Sequence, residues 1–285
     1  MAETPPRADP TVTTAEIGGQ DGLRVCVLGS GSTGNATWVA SASTAVLIDA
    51  GLSGRRIRQR LEGIGAALDH VHGICVSHEH KDHVGSLRIL HRRHGIPVYA
   101  NAGTAEALAR YPEWAQLSWN LFTTGQPFVI GDLTIKPFSV PHDAYDPVGF
   151  VVEHAGIRAG IVTDMGMATS LIREQLRACQ LIVMESNHDE HLLQDCARPW
   201  SLKQRIRGRQ GHLSNQAAAD LLRDIAGPTV RQVWLAHLSA DCNCPDLAVT
   251  SAQAALQACG QSHIQVAPTY ADRASPVWHH TVTAQ

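Results

Sequence analysis

Apolar and polar positions between residues 23 and 270 fall into two strand-rich blocks, each followed by amphipathic helices. Short β-branched runs at residues 24–28, 37–42 and 44–49, separated by turn residues, predict three strands. A helical apolar period covers 54–64, and the continuous apolar run 73–76 reads as a buried strand. A second helical pattern, 84–94, stops at Gly95, a natural left-handed terminator, with Pro97 beyond it. After a helical patch at 104–110, strands are predicted at 128–130, 133–139, 150–154 and 157–163. The remainder alternates helix (167–178), strand (181–185), helix (214–225), strand (232–236), helix (246–259) and strand (264–267). Two mixed sheets face to face with helices outside, an αββα sandwich of the α/β class, accommodate that order. No repeat, linker or composition break interrupts it. One domain is expected over residues 22–270, between a flexible N-terminal tail (1–21) and a C-terminal tail (271–285).

The run Cys75-Val76-Ser77-His78-Glu79-His80-Lys81-Asp82-His83-Val84-Gly85 sits where the buried strand meets the helix. In extended chain alternate residues share a face, so His78 and His80 can close on one ion. Asp82 and His83 fall at the turn into the helix, displaced toward a second ion. Nitrogen and oxygen ligands mixed in this way suit zinc or manganese, with iron a further option. A His-rich surface loop is the plain alternative in a chain of sixteen histidines, and the junction position and spacing argue against it.

Three later strands end on residues of ligand type, and strand ends are where a rigid sheet can aim side chains at one point. Residues 133–140 lead to His142, 157–163 to Asp164, and 232–236 to His237. Singly these read as a loop imidazole, a helix N-cap and a surface imidazole. Together they complete two shells: His78, His80 and His142 around one ion, Asp82, His83 and His237 around the other, with Asp164 bridging. Two ions about 3.5–4 Å apart can share and activate a hydroxide. Asp49, closing the strand before Ala50-Gly51, is the candidate acceptor that fixes a histidine tautomer.

Composition narrows the setting. Apolar content of 44% supports a sizeable core, and a formal net charge of −3 excludes a global polyanion-binding signature, so any nucleic-acid site is a local patch. Seven scattered cysteines, an odd number without framework spacing, and no visible secretory signal point to reduced thiols in the cytoplasm. Cys242 and Cys244 read as packed or idle thiols rather than ligands. No run reaches membrane-span length, so no membrane partner is expected. The oligomeric state is open, a homodimer included.

Gly29-Ser30-Gly31-Ser32-Thr33-Gly34 fits a dinucleotide fingerprint in spelling only. That fingerprint requires a helix to begin within it, and here the β-branched segment Asn35-Ala36-Thr37-Trp38-Val39 follows. A Gly/Ser turn between strands is the better reading, with Asn35 lining the site toward substrate.

The His78-x-His80-x-Asp82-His83 core with His142, Asp164 and His237 resembles the metallo-β-lactamase fold superfamily. Further segments look like the bacterial YycJ/WalJ-type nucleases. They include the Gly29–Asn35 turn, Leu47-Ile48-Asp49-Ala50-Gly51-Leu52-Ser53-Gly54 and Val140-Pro141-His142-Asp143-Ala144. Glu185-Ser186-Asn187-His188-Asp189, Pro199-Trp200-Ser201-Leu202-Lys203, Gly211-His212-Leu213-Ser214-Asn215 and Ala236-His237-Leu238-Ser239 extend the match. The resemblance implies an αββα sandwich with a binuclear site at one edge and, for this branch, 5′→3′ DNA exonuclease activity. It is also similar to tRNA 3′-processing nucleases, in which residues matching Glu185 and His212 pair near the scissile phosphate. On that resemblance His212 is a general acid or phosphate binder oriented by Glu185, with Asp82 and the metal-bridged hydroxide completing the catalytic set. Cys242-Asn243-Cys244 stands where the branch is expected to carry an Asn-Asn pair.

Substrate positioning is expected from His188 and from a basic strip, Lys203, Arg205, Arg207 and Arg209, beside Trp200. If extended, that strip places alternate cations on one face. A nucleic acid, with DNA ahead of RNA, is therefore the expected partner. An RNA-processing nuclease, a hydrolase of thioesters, lactones or cyclic phosphodiesters on the same fold, and a metal-stabilised binding module are the alternatives.

Overall fold

The computed structural model describes residues 22–281, so the tail expected at 1–21 lies outside the described residues. The first block forms β1 (Gly22–Gly29), β2 (Ala36–Ala40), β3 (Ala45–Ile48), α1 (Gly54–Gly63), β4 (Val71–Cys75), α2 (Lys81–Val84), α3 (Leu87–His94), β5 (Val98–Asn101), α4 (Ala102–Ala109) and β6 (Trp119–Phe122). The second forms β7 (Phe128–Ile130), β8 (Leu133–Ser139), β9 (Val148–His154), β10 (Ile157–Val162), α5 (Ser170–Arg177), β11 (Leu181–Glu185), α6 (Glu190–Asp195), α7 (Trp200–Arg207), α8 (Asn215–Ile225), β12 (Gln232–Ala236), α9 (Pro245–Ala258) and β13 (Gln265–Pro268). A last strand, β14 (Trp278–Thr281), returns to the first sheet.

The sheets are both mixed, ordered β14-β1-β2-β3-β4-β5-β6 and β13-β12-β11-β10-β9-β8-β7. Leu23, Val25, Ile48, Phe150, Val183 and Trp234 meet between them in one core. The opposite face of the first sheet packs on Ile57, Leu61, Leu87 and Leu90 of α1 and α3. That of the second packs on Ile172, Leu176, Leu221, Leu222 and Leu256 of α5, α8 and α9. The chain is thus an αββα sandwich with apolar side chains in all three inter-layer spaces. No helix among the described residues is long and apolar enough to cross a membrane.

Residues 271–281 are not the tail the sequence suggests. β14 pairs antiparallel with β1, matching Gly22 to Thr281, and Trp278 packs against the inter-sheet core. The Val27 amide donates to Ser275 Oγ at 3.0 Å, which draws this segment onto the edge of the sheet. At the sandwich end remote from the strand ends that carry the histidines, Asp132, between β7 and β8, accepts from Ser41 Oγ (2.7 Å) and Ser43 Oγ (2.8 Å). One carboxylate thereby ties a turn of each sheet to the other.

Candidate metal centre

The site gathers at the strand ends, where β3, β4, β8, β10, β11 and β12 lead into loops. After β3, Asp49 takes a positive φ of 64°, a strained conformation for a non-glycine residue, and turns its carboxylate under the histidine run. The Ser77 amide and hydroxyl donate to Asp49 Oδ1 and Oδ2, each at 2.8 Å, and His83 Nδ1 lies 2.8 Å from Oδ2. Asp49 therefore makes the contact that fixes the His83 tautomer and aims Nε2 inward. The turn itself needs Gly51, because a Cβ there would sit 1.6 Å from the Asp82 carbonyl oxygen.

His78, His80 and His142 form one group whose nitrogens converge. His142 Nδ1 faces the Gly211 carbonyl at 3.0 Å, leaving Nε2 3.3 Å from His80 Nδ1. A second set surrounds Asp164. His83 Nε2 is 2.9 Å from its Oδ2, and His237 Nδ1 is 2.9 Å from its Oδ1. Asp82 Oδ2 stands 3.5 Å from His83 Nε2 and 3.6 Å from His237 Nε2. A third set joins Asp164, Glu185, His212 and His237. Asp164 is buried beside both sets, its Oδ1 also 3.9 Å from His142 Nε2.

The donor set fits a divalent cation. His78 Nε2, His237 Nε2 and Asp164 Oδ2 are buried without a hydrogen-bond partner. The 2.9 Å approach of His83 to Asp164 Oδ2 lacks hydrogen-bond geometry and does not relieve that atom. Orphaned buried donors and acceptors at one point are costly unless something else satisfies them. Zinc, manganese and iron all accept such imidazole and carboxylate ligands.

Charge is divided across the cluster. Burial and the neighbouring His83 push His78 well below the usual imidazole range. Burial also opposes a charge on His83 and His237, but the Asp164 carboxylate outweighs it, and both are held well above that range. Burial likewise works against ionised Asp164, and the two imidazoles beside it keep its carboxyl well down. Imidazoles whose proton affinity is raised by a buried carboxylate mark a place where a metal's positive charge would substitute for protons.

Glu185, fully buried at the end of β11, is the hub between this centre and the cleft. Its Oε2 accepts the Met165 amide (2.8 Å) and the Leu213 amide (3.1 Å). Its Oε1 faces His212 Nδ1 at 2.7 Å and His237 Nδ1 at 3.0 Å. Burial works against a charge on His212, but Glu185 outweighs it and raises the imidazole above its usual value. The His212 ring borders a cleft of about 110 Å³ shared with Ser32, Asn187, Arg198 and Arg205.

Several expected substrate contacts are placed otherwise. Asn35 is buried, and its amide nitrogen donates to Asp82 Oδ2 at 3.3 Å, so it braces a candidate ligand instead of facing substrate. His188 is buried too, and that burial pushes its imidazole down to about 4. The basic strip is not extended. Residues 200–207 are helix α7, whose 3.6-residue turn sets Arg205 on another face from Lys203 and Arg207, while Arg209 lies beyond its end. Lys203 turns inward to the Gln194 carbonyl at 2.6 Å, whereas Arg205 stays exposed and pairs with Asp143 at the cleft. Trp200 is 62% exposed, not core. The groups of convergent donors contain no cysteine among the described residues; Cys242 packs against Leu193 and Ile206. Two supports lie in segments the sequence marks without giving them this role: Ser30 Oγ, which accepts the His237 amide at 2.8 Å, and the Gly211 carbonyl. The signal for Ser77 is its place inside the histidine run, next to His78.

A family profile described as the beta-lactamase superfamily domain matches residues 44–238, the stretch that holds every candidate ligand. The chain belongs to the β-lactamase superfamily. Among superfamily relatives it is 34% identical over 240 residues to an exodeoxyribonuclease YycJ of Bacillus anthracis, covering 83% of this chain and 90% of that protein. An exodeoxyribonuclease WalJ of Streptococcus pneumoniae serotype 2 is 30% identical, covering 80% and 86%. In fold, the metallo-beta-lactamase fold protein YhfI from Bacillus subtilis superposes with a TM-score of 0.68 at 16% identity, covering 92% of this chain and all (100%) of that one. A superfamily fold with this donor set and these relatives makes the protein a metal-dependent hydrolase.

Proposed function

We propose that this superfamily member is a binuclear phosphodiesterase, and specifically a 5′→3′ DNA exonuclease acting in the cytoplasm. The observation that carries the reading is the Glu185–His212 contact of 2.7 Å: a buried carboxylate holds one imidazole at the mouth of the metal centre, above an arginine-bearing cleft. The names of the YycJ and WalJ relatives favour DNA as the substrate, and seven free cysteines suit a reducing compartment.

His78, His80 and His142 would hold one ion, Asp82, His83 and His237 the other, with Asp164 between. Two bound divalent ions, zinc or manganese, supply Lewis acidity and an activated water. The chain does the rest. Asp49 fixes His83, and Glu185 fixes His237 and His212 together. With its proton affinity raised by Glu185, His212 is suited to hand a proton to the departing alkoxide. Arg205, paired with Asp143 in the cleft that His212 borders, is the cation offered to a non-bridging phosphate oxygen.

The test is incubation of zinc- or manganese-loaded protein with 5′- and 3′-labelled DNA, RNA, a small phosphodiester and a thioester. Mononucleotide release from the 5′ end of DNA is the expected result. Thioester hydrolysis with every phosphodiester left intact would overturn the reading.

A further inference from the structure

The cationic strip on α7 is divided between faces, so the substrate strand needs another support, and a large cleft lined by His80 has the composition for one. It has a volume of about 880 Å³ and opens directly from His80, whose other neighbour is His142 in the first ligand group. Its walls come from α2, the start of α3 and residues 108–114, and include Lys81, Arg88, Ile89, Tyr111 and Trp114. Tyr111 is 58% and Ile89 47% exposed, unusually bare for large apolar side chains. A smaller depression continues from Arg88 and Ile89 to Arg92 and Arg93, both exposed on α3. Over the two surfaces four cations face two carboxylates, Glu79 and Glu113. Glu79 is already engaged, its Oε1 accepting the Tyr145 amide at 2.9 Å.

We propose that this groove binds a single-stranded segment of nucleic acid flanking the scissile phosphodiester, with bases on Tyr111 and Trp114 and phosphates on Lys81, Arg88 and Arg92. The inference rests on the nuclease reading above. Ring faces and an aliphatic side chain beside spaced cations match an unpaired strand, whose π-faces and phosphates alternate. A duplex offers no free base faces for that wall, and a small substrate would leave most of the groove bare. Continuity with His80 gives the direction: a strand with one phosphate at the metal centre runs on into this groove. The strand, not a second copy of the chain, is the occupant favoured by the arginine row that extends the apolar wall.

The experiment compares metal-loaded wild-type protein with Tyr111→Ala, Tyr111→Phe and Arg88→Ala, using a single-stranded oligonucleotide and bis(p-nitrophenyl) phosphate. Tyr111→Ala is expected to lower the oligonucleotide-to-small-ester ratio of kcat/KM about tenfold or more, mostly through KM, with Tyr111→Phe near wild type. Arg88→Ala should also flatten the log–log dependence of oligonucleotide affinity on salt by about one. A ratio unchanged by both alanine variants overturns the proposal. So does a wild-type dimer that Tyr111→Ala dissociates in light scattering, because the groove is then a self-association surface. Binding of a fluorescent oligonucleotide, read by anisotropy, separates the two readings. If wild type binds without cutting and Tyr111→Ala weakens binding about tenfold, the nuclease reading fails and the groove stands. If wild type neither binds nor cuts, both fail.

Discussion

His83 shows how a single side chain is constrained from both ends. Its Nδ1 is held by Asp49 at 2.8 Å, and its Nε2 is turned to Asp164 and Asp82. Asp49→Ala is expected to weaken metal affinity about 10–100-fold, measured by competition with a chelator, because the imidazole loses its fixed tautomer. Gly51→Ala should be worse than its one carbon suggests. The added Cβ would drive Asp82 from the site, so purified protein should carry less than its full complement of metal by elemental analysis. His212→Ala is expected to reduce turnover about 10²–10⁴-fold with metal content retained. Glu185→Gln should disturb both, because the same oxygen serves His212 and His237. The strand-end residues His142, Asp164 and His237 were legible in the sequence because a sheet edge is a predictable place to aim a ligand. The expectation that Asn35, His188 and Lys203 face substrate fails at their burial, which no local pattern announces: Asn35 turns to Asp82 and Lys203 to the Gln194 carbonyl.

At the scale of elements, period and length decided what the sequence revealed. The long apolar strands and the helices α1, α5, α8 and α9 announce themselves, whereas β5 and β6 are four-residue strands without a clear alternation. Helix α7 was hidden by its own cations, whose alternation suggested an extended chain. The Asp132 clamp between the sheets could not be seen at all, since serines and an aspartate 91 residues apart carry no pattern. Some burial opposes its charge, but hydrogen bonds from Thr44, Ser41 and Ser43 outweigh that and hold the carboxyl at about 2. A carboxyl depressed on folding stabilises the fold above its unfolded value of about 3.9, and this contribution is lost as pH falls through about 2. Asp132→Asn should therefore lower Tm at pH 6 by a small amount, equivalent to about 0.5–1 kcal/mol for so exposed a group. The gap from wild type, followed by circular dichroism, should close as the pH approaches 2.

For the whole molecule, the decisive arrangement is that candidate ligands come from both sheets: His78, His80, Asp82 and His83 follow β4, while His142, Asp164 and His237 follow β8, β10 and β12. Metal bound there links the two halves of the sandwich, so chelation should lower Tm, and readdition of zinc should restore it in a concentration-dependent way. Stabilisation of about 2.7 kcal/mol is expected at a hundredfold excess over Kd; a Tm indifferent to chelator would exclude the cross-sheet ion. The αββα layering was legible because two strand-rich blocks succeed one another. The return of β14 was not, because Trp278–Thr281 is short and far from its partner. That return has a consequence for how the protein is made. Chains leave the ribosome N-terminus first, so β1 emerges well before its neighbour β14, with every candidate ligand between them. Throughout synthesis the outer edge of the first sheet stays open to stray strands, even after the last candidate ligand, His237, has emerged. The newborn enzyme can thus assemble its reactive centre before it is sealed against its own copies.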